Sequence, residues 1–194
     1  GAGGRPLGPA SGGLSGLRII AGRHRGRRLA APPGEAVRPT HDRAREALFS
    51  ILEHGEPPLA GSRFLDVFAG TGAIGLEAIS RGAASVLLIE RDRDALAAAE
   101  ANRALLGETR RVGILRADAT RLGAAPQPFD IAFLDPPYGS GLLAPALASL
   151  AETGWLAPGA QIVAEVAARE RLEAVPGFQL EDERAYGAAR LLFL

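Results

Sequence analysis

Residues 64–75 read Phe-Leu-Asp-Val-Phe-Ala-Gly-Thr-Gly-Ala-Ile-Gly: an apolar strand runs into a glycine turn, and the turn opens a helix. Gly70, Gly72 and Gly75 satisfy G-x-G-x-x-G in the strand–turn–helix context that gives the pattern meaning. Glycine allows the sharp turn and lets the backbone approach a ligand closely, while the first helical turn offers unpaired amides. Glu90, twenty positions beyond Gly70, ends the next apolar run and is the acid expected at a ribose hydroxyl pair. These features fit nicotinamide, flavin or S-adenosylmethionine equally well. The alternative is a turn packed tightly against a sheet, with Glu90 merely solvated.

The same alternation continues along the chain. Strands are expected over Arg63–Phe68, Ser85–Glu90, Val112–Arg116, Phe129–Leu134 and Gln161–Val166, with helices over Ala73–Arg81, Asp92–Leu106 and Leu142–Leu150. Asp92 is placed to cap its helix. Strands alternating with helices of this length predict an α/β fold, a parallel sheet covered on both faces. Two last strands, Phe178–Asp182 and Arg190–Leu194, lie too close together for a crossover helix and must pair antiparallel.

Ahead of this unit, residues 1–16 are Gly, Pro, Ala and Ser with little to bury and read as a flexible tail. Leu17–Ala21 and Arg27–Ala30 read as a β-hairpin around the turn Gly22–Gly26, ended by Pro32, Pro33 and Gly34. A helix capped by Thr40 carries Ala44, Leu48, Ile51 and Leu52 at helical spacing to about Glu53. The expected organisation is therefore a tail (1–16), a basic hairpin-plus-helix extension (17–56) and a catalytic domain (57–194).

Charge divides along the same line. Residues 1–46 carry nine arginines against Glu35, Asp42 and Glu46, a net of +6, whereas residues 47–194 carry thirteen arginines against nineteen acids, −6. A basic segment on an otherwise acidic chain points to a nucleic-acid contact at one end. Arg18, Arg23, Arg25, Arg27 and Arg28, then Arg38, Arg43 and Arg45, are the candidates for phosphate contact by their clustering; each taken singly reads as a solvated surface group, and Arg43 and Arg45 have Glu46 or the sheet domain as alternative partners. The absence of cysteine excludes disulfides, thiolate metal sites and cysteine nucleophiles, and three scattered histidines make no metal site, so none is expected. With no long apolar run, a soluble cytoplasmic chain is expected, with no membrane partner.

A second chemistry-bearing segment is Phe129–Gly139, in which an apolar strand ends in Asp135-Pro136-Pro137-Tyr138. The prolines remove two amide donors and stiffen the chain. Asp135 and the Pro136 carbonyl can then accept both hydrogens of an exocyclic amine, while Tyr138 offers a ring face to a base. A proline turn with a capping aspartate is the competing reading.

Arg18-Ile-Ile-Ala-Gly22, Arg25-Gly-Arg-Arg-Leu29, Arg38-Pro-Thr-His-Asp-Arg-Ala-Arg-Glu-Ala-Leu-Phe-Ser-Ile-Leu52, the glycine turn and D-P-P-Y together resemble the RsmD family of bacterial 16S ribosomal RNA guanine-N2 methyltransferases. The resemblance covers about residues 17–194; the R-P-T-x-D-R-x-R-E segment carries most of its specificity, and Ala21 departs from a glycine common in the family. It implies a Rossmann-like class I S-adenosylmethionine-dependent fold, with a seven-stranded, mostly parallel sheet and one antiparallel strand. It also implies the cofactor's methionine end near Asp66, Ala69, Gly70 and Gly72, ribose on Glu90, and adenine beside Asp118 and Ala119. Guanine would be received by Asp135, Pro136 and Tyr138. Arg38-Pro39-Thr40 and Asp42 would close over the cofactor edge, with Thr40 counted among the RNA-contacting residues. The implied partner is 16S ribosomal RNA in an assembling small subunit, met by a monomer.

Three rivals remain at this level. One is a related enzyme acting on adenine N6 or a protein glutamine amide. The second is a nicotinamide oxidoreductase, disfavoured because no hydride-transfer acid or base is evident. The third is a non-catalytic RNA-binding module, which leaves the D-P-P-Y segment unexplained.

Overall fold

The strand β1 (Arg63–Val67) is buried along nearly its whole length, as a strand must be when helices cover both faces of its sheet. A computed structural model, describing residues 16–31 and 39–194, places it in the interior of a seven-stranded sheet, third from one edge. Those strands are β1, β2 (Ser85–Glu90), β3 (Val112–Arg116), β4 (Phe129–Leu134), β5 (Leu156–Ala167), β6 (Asp182–Tyr186) and β7 (Ala189–Phe193). The helices are α1 (Pro39–Glu53), α2 (Ala73–Ser80), α3 (Arg93–Leu105) and α4 (Leu143–Glu152). The strand order is β3-β2-β1-β4-β5-β7-β6, with β1 to β5 parallel and β7 antiparallel to both its neighbours. Between β1 and β4 the order reverses, and the crevice outside those two carboxyl ends is where open α/β sheets bind ligands.

Alternation of side chains divides the core. Phe64, Leu88, Phe133 and Val163 face one cluster with Leu48, Phe49 and Leu52 of α1 and Leu76 and Ile79 of α2. Leu65, Val67, Ile89, Leu134 and Ala164 face the other, with Leu147 and Leu150 of α4 and Trp155, which stacks on Phe129 at 5.9 Å. The registers Val67↔Ile89, Val67↔Leu134 and Leu134↔Ala164 fix what comes next. One residue further on, Glu90, Asp135 and Glu165 continue the first face, as does Asp66 on β1, whereas Phe68 turns out of the strand and packs against the second cluster.

The front segment is the expected hairpin, though a short one: the bridge Arg18↔Arg28 is flanked by backbone hydrogen bonds from the Ile19 amide to the Arg27 carbonyl, the Gly26 amide to the Ile19 carbonyl and the Leu29 amide to the Leu17 carbonyl. Its outward backbone groups are taken by helix side chains. Ile20 and Ala21 amides donate to the Glu77 carboxylate at 3.0–3.2 Å, the His24 amide to Ser80 Oγ at 2.9 Å, and the Ala30 amide to Asn102 Oδ1 at 2.6 Å. Residues 17–30 thus form a strap across α2 and α3, with Ile19 and Leu29 buried in the first cluster. Gly22 lies against the end of α2, where an added Cβ would stand 2.0 Å from the Ser80 carbonyl oxygen. Residues 1–15, Pro32, Pro33, Gly34 and Arg38 lie outside the described residues, as do the side chains of Pro39, Thr40 and His41. Asp42 pairs with Arg45 at 2.9 Å, and Arg45 reaches the Arg18 carbonyl.

The expected strand Phe178–Asp182 needs correction, for β6 only begins at Asp182. Phe178 turns back, its amide donating to Val175, and packs on the second cluster. β6 itself is an exposed edge strand held by its pairing with β7, so it carries no apolar signal.

Candidate active site

β1 delivers Asp66 into the first layer of the site. The side chain is 1 % exposed and accepts the Gly75 amide at 2.9 Å. Helix α2 can approach this closely only because residue 75 is glycine: a Cβ there would stand 2.3 Å from Leu88 Cδ2 and 3.3 Å from Asp66 Cβ. Burial pushes the Asp66 carboxyl up to about 7, and the Glu90 charge adds to the rise while the Gly75 amide opposes it. Past β1 the chain turns abruptly. Phe68 has φ 63, a left-handed conformation rare for a bulky side chain and a form of backbone strain that concentrates at functional sites. Gly70 follows at φ 57 with open space where a side chain would stand.

Glu90 closes the turn from β2. Its Oε1 accepts the Gly70 amide at 2.9 Å and its Oε2 the amides of Arg91 and Asp92 at 2.7 and 3.0 Å. Asp92 in turn caps α3 by accepting the Ala95 amide. Asp118, after β3, accepts from the backbone and hydroxyl of Thr120, whose hydrogen bonds hold its carboxyl below the usual range, with Arg91 and Arg121 charges contributing less.

Two adjoining cavities open at this edge. One, of about 280 Å³, is lined by Asp66, Phe68, Ala69, Gly70, Phe133 and Asp135 among others. The second, of about 380 Å³, is lined by residues including Phe68, Ile89, Glu90, Asp118, Ala119, Asp135 and Leu142. Asp135 and Phe68 line both, so the two cavities adjoin at the tips of β1 and β4. The structure thus brings Asp66, Ala69, Gly70, Glu90, Asp118, Ala119 and Asp135 together. Gly72 instead caps α2 and packs on Leu88. Pro136 is buried, while Tyr138, 52 % exposed, stands outside the lining of both cavities on the β5 side of Asp135.

Asp135 is the most perturbed acid of the site. Burial pushes its carboxyl well above the ordinary range, the charge and hydrogen bond of Glu165 push it further, and Asp66 adds to the effect. Burial likewise pushes the Tyr138 hydroxyl up to about 12, helped by the charges of Glu165, Asp135 and Glu170, so it stays neutral. Glu170 steadies this loop by accepting the Gly139 amide at 3.5 Å and the Ala167 amide at 3.3 Å. Sequence reasoning missed Phe68, Glu165 and Glu170. For Glu165 a signal existed: an acid inside the apolar run Ile162–Val166, at the end of the strand next to Asp135.

The donor set tests which cofactor fits. Dinucleotides bring a diphosphate that wants free amides at the glycine turn. Here the Gly70 amide is committed to Glu90, and the edge is lined by Asp66, Glu90, Asp118 and Asp135. An acidic edge repels a diphosphate and suits a ligand with a sulfonium and an ammonium group; the apolar walls Phe68, Ile89 and Leu142 suit its adenine.

This strand order, with a glycine turn after β1, an acid ending β2 and D-P-P-Y after β4, defines a Rossmann-like S-adenosylmethionine-dependent methyltransferase. A family profile described as "Conserved hypothetical protein 95" matches residues 17–194. The ribosomal RNA small subunit methyltransferase D of Escherichia coli (strain K12) is 38% identical over 187 residues, covering 92% of this chain and 89% of that protein. Its namesake in Haemophilus influenzae is 35% identical over 175 residues, covering 88% and 89%. A solved Escherichia coli structure described as a methyltransferase, yhhF, superposes with a TM-score of 0.78 at 38% identity, covering 91% of this chain and 96% of that one. The chain belongs to this family, the RsmD methyltransferases.

Proposed function

We propose that this methyltransferase moves a methyl group from S-adenosylmethionine to the exocyclic N2 amine of a guanine in 16S ribosomal RNA. The observation that carries the reading is the position of Asp135, which lines both cavities at the strand-order reversal. In this reading the methionine end lies over β1 beside Asp66, Ala69 and Gly70, the ribose on Glu90, and the adenine between Ala119 and the apolar wall near Asp118. The base enters from the β4–β5 side, where Tyr138 replaces part of the stacking lost when guanine leaves its RNA.

The bound cofactor supplies an electrophilic methyl on sulfur. The protein's part is alignment and electrostatics. Asp135 and the Pro136 carbonyl accept the two amine hydrogens and turn the nitrogen lone pair toward the methyl carbon. As the N–C bond forms and the C–S bond breaks, the nitrogen gains positive charge, which the Asp135 carboxylate stabilises more than it stabilises the neutral amine. The nitrogen then gives up one proton, to Asp135 or to solvent, and S-adenosylhomocysteine remains.

RNA is held by the front unit, residues 17–56, attached to the catalytic unit 57–194. Arg18, Arg23, Arg25, Arg27, Arg28 and Arg43 are exposed along the strap and α1, available for phosphates. Arg38 and Thr40 belong to the same proposed surface. The protein would act as a monomer in the cytoplasm, on an assembling small subunit.

The deciding experiment is transfer of tritiated methyl from labelled cofactor to small-subunit particles lacking the modification, followed by nucleoside identification. The expected product is N2-methylguanosine. Recovery of methylated adenosine, or of label on protein alone, would overturn the reading.

A further inference from the structure

Glu165 stands on the rung of Asp135, one strand outward, and no step above uses it. The register Leu134↔Ala164 makes the two acids cross-strand neighbours, and both continue the face on which Phe133 and Val163 are buried. In parallel strands such neighbours point the same way, so two half-buried carboxyl groups lie side by side. Among the described residues no arginine or histidine forms an ion pair with Glu165. A like-charged pair in a half-buried site works against stability, and Ile162, Val163, Ala164 and Val166 around it show that the strand otherwise wants apolar residues. The acid calls for a functional reason.

Sheet order says which ligand it meets. Both cavities lie over β1, β2 and the near side of β4, whereas Glu165 lies beyond Asp135, on the side of Tyr138. It therefore belongs with the accepting base. We propose that Glu165 selects guanine: its carboxylate accepts the ring N1–H that lies next to the amine held by Asp135 and Pro136. The inference deepens the amine-methylation reading above and rests on it.

The chemistry is particular to this base. Adenine and cytosine also carry exocyclic amines, but the ring nitrogen beside each is an acceptor, and a carboxylate facing it meets lone pair with lone pair. Only guanine places a ring donor next to its amine, so two neighbouring carboxyl groups match its edge and mismatch the others. A buried polar group left without its partner rejects the wrong substrate far more strongly than a missing methyl does. The crowding of Asp135 by the Glu165 charge, which helps raise the Asp135 carboxyl in the free protein, is relieved when guanine brings donors to both.

The test uses small-subunit RNA with 2-aminopurine at the target position, which keeps the C2 amine but has an acceptor at N1. The unaltered protein should prefer guanine by at least about a hundredfold in kcat/KM. Glu165→Gln, whose amide can donate to N1, should slow guanine methylation and narrow that preference to within about tenfold, with S-adenosylhomocysteine affinity unchanged. Equal use of both RNAs by the unaltered protein, or an unchanged preference in Glu165→Gln, would overturn the role of Glu165 alone. Methylation of an adenine or cytosine amine by the unaltered protein would overturn the parent reading as well. Should Glu165→Gln lose cofactor binding, Glu165→Asp replaces it, with a partial narrowing expected and an unchanged preference counting against the proposal.

Discussion

The strap over α2 and α3 and the carboxyl edge of the sheet differ in how charge is held. In residues 17–30 the backbone is fixed, its amides bound by Glu77, Ser80 and Asn102, and the arginine side chains are exposed, Arg27 alone among them donating to a backbone carbonyl, that of Leu105. At the edge the arrangement is inverted: backbone amides of Gly70, Gly75, Arg91 and Asp92 fix the carboxylates Asp66 and Glu90. A surface that must fit phosphates along a flexible polymer gains from mobile cations on a rigid base. A site that aligns three atoms in a row needs its charges themselves immobile. The two regions meet at Asn102, which is 1 % exposed and donates both to the Ala30 carbonyl in the strap and to the Thr71 carbonyl in the glycine turn.

That contrast is breakable, most sharply at Asp135. Asp135→Ala should lower methyl transfer by at least about a hundredfold while S-adenosylhomocysteine binding, followed by calorimetry, changes only a few-fold. Near-normal turnover would place the fixed charge elsewhere. Next in size is Glu77, which is fully buried and accepts two strap amides and the Arg81 guanidinium. Glu77→Ala should cost about 3 kcal/mol in denaturant unfolding, since it leaves two amides without their acceptor and the buried Arg81 with Glu53 as its remaining ion-pair partner. A loss below about 1 kcal/mol would mean that the strap is not anchored there.

Replacing Arg23, Arg25 and Arg28 together by alanine should weaken RNA binding and make the dependence of log affinity on log salt shallower by about one for each phosphate no longer neutralised. Cofactor affinity and melting temperature should not move, because these side chains are exposed. An unchanged salt slope would remove the strap from RNA docking.

The smallest effect concerns pH. The Asp66 pKa is raised to about 7 in the folded chain, so its contribution to stability is complete below the unfolded value and is lost as pH rises through about 7. Asp118, and Asp130, whose carboxylate accepts from the Arg63 guanidinium, are shifted down, so their effects fall below about pH 4. Between about pH 5 and 8 the cofactor-free protein should therefore lose melting temperature relative to Asp66→Asn. A constant gap between the two would contradict the raised value.

The sequence was most legible where local and tertiary demands coincide. β1, β2 and β4 are apolar because both their faces are covered, and the turn after β1 announces itself because strand, glycines and acid occur in order. Glu90 and Asp135 could be named for that reason, whereas Asp66 and Asp118 could be named only through the family resemblance. The hairpin could be read from its turn, but its docking as a strap could not, because the partners Glu77, Ser80 and Asn102 are more than fifty residues away and helical. β6 was displaced because an edge strand paired on one side needs no apolar alternation.

The order of strands and helices, the glycine turn and the identity of the acids are local properties, set by residue type and spacing within a dozen positions, and the sequence alone determined them. Which acids become neighbours is a matter of register between strands that are thirty residues apart in the chain. Only the folded sheet put Glu165 beside Asp135 and set two adjoining cavities at the tips of β1 and β4. Hydrogen-bonded pairing, not proximity along the chain, decides which side chains meet.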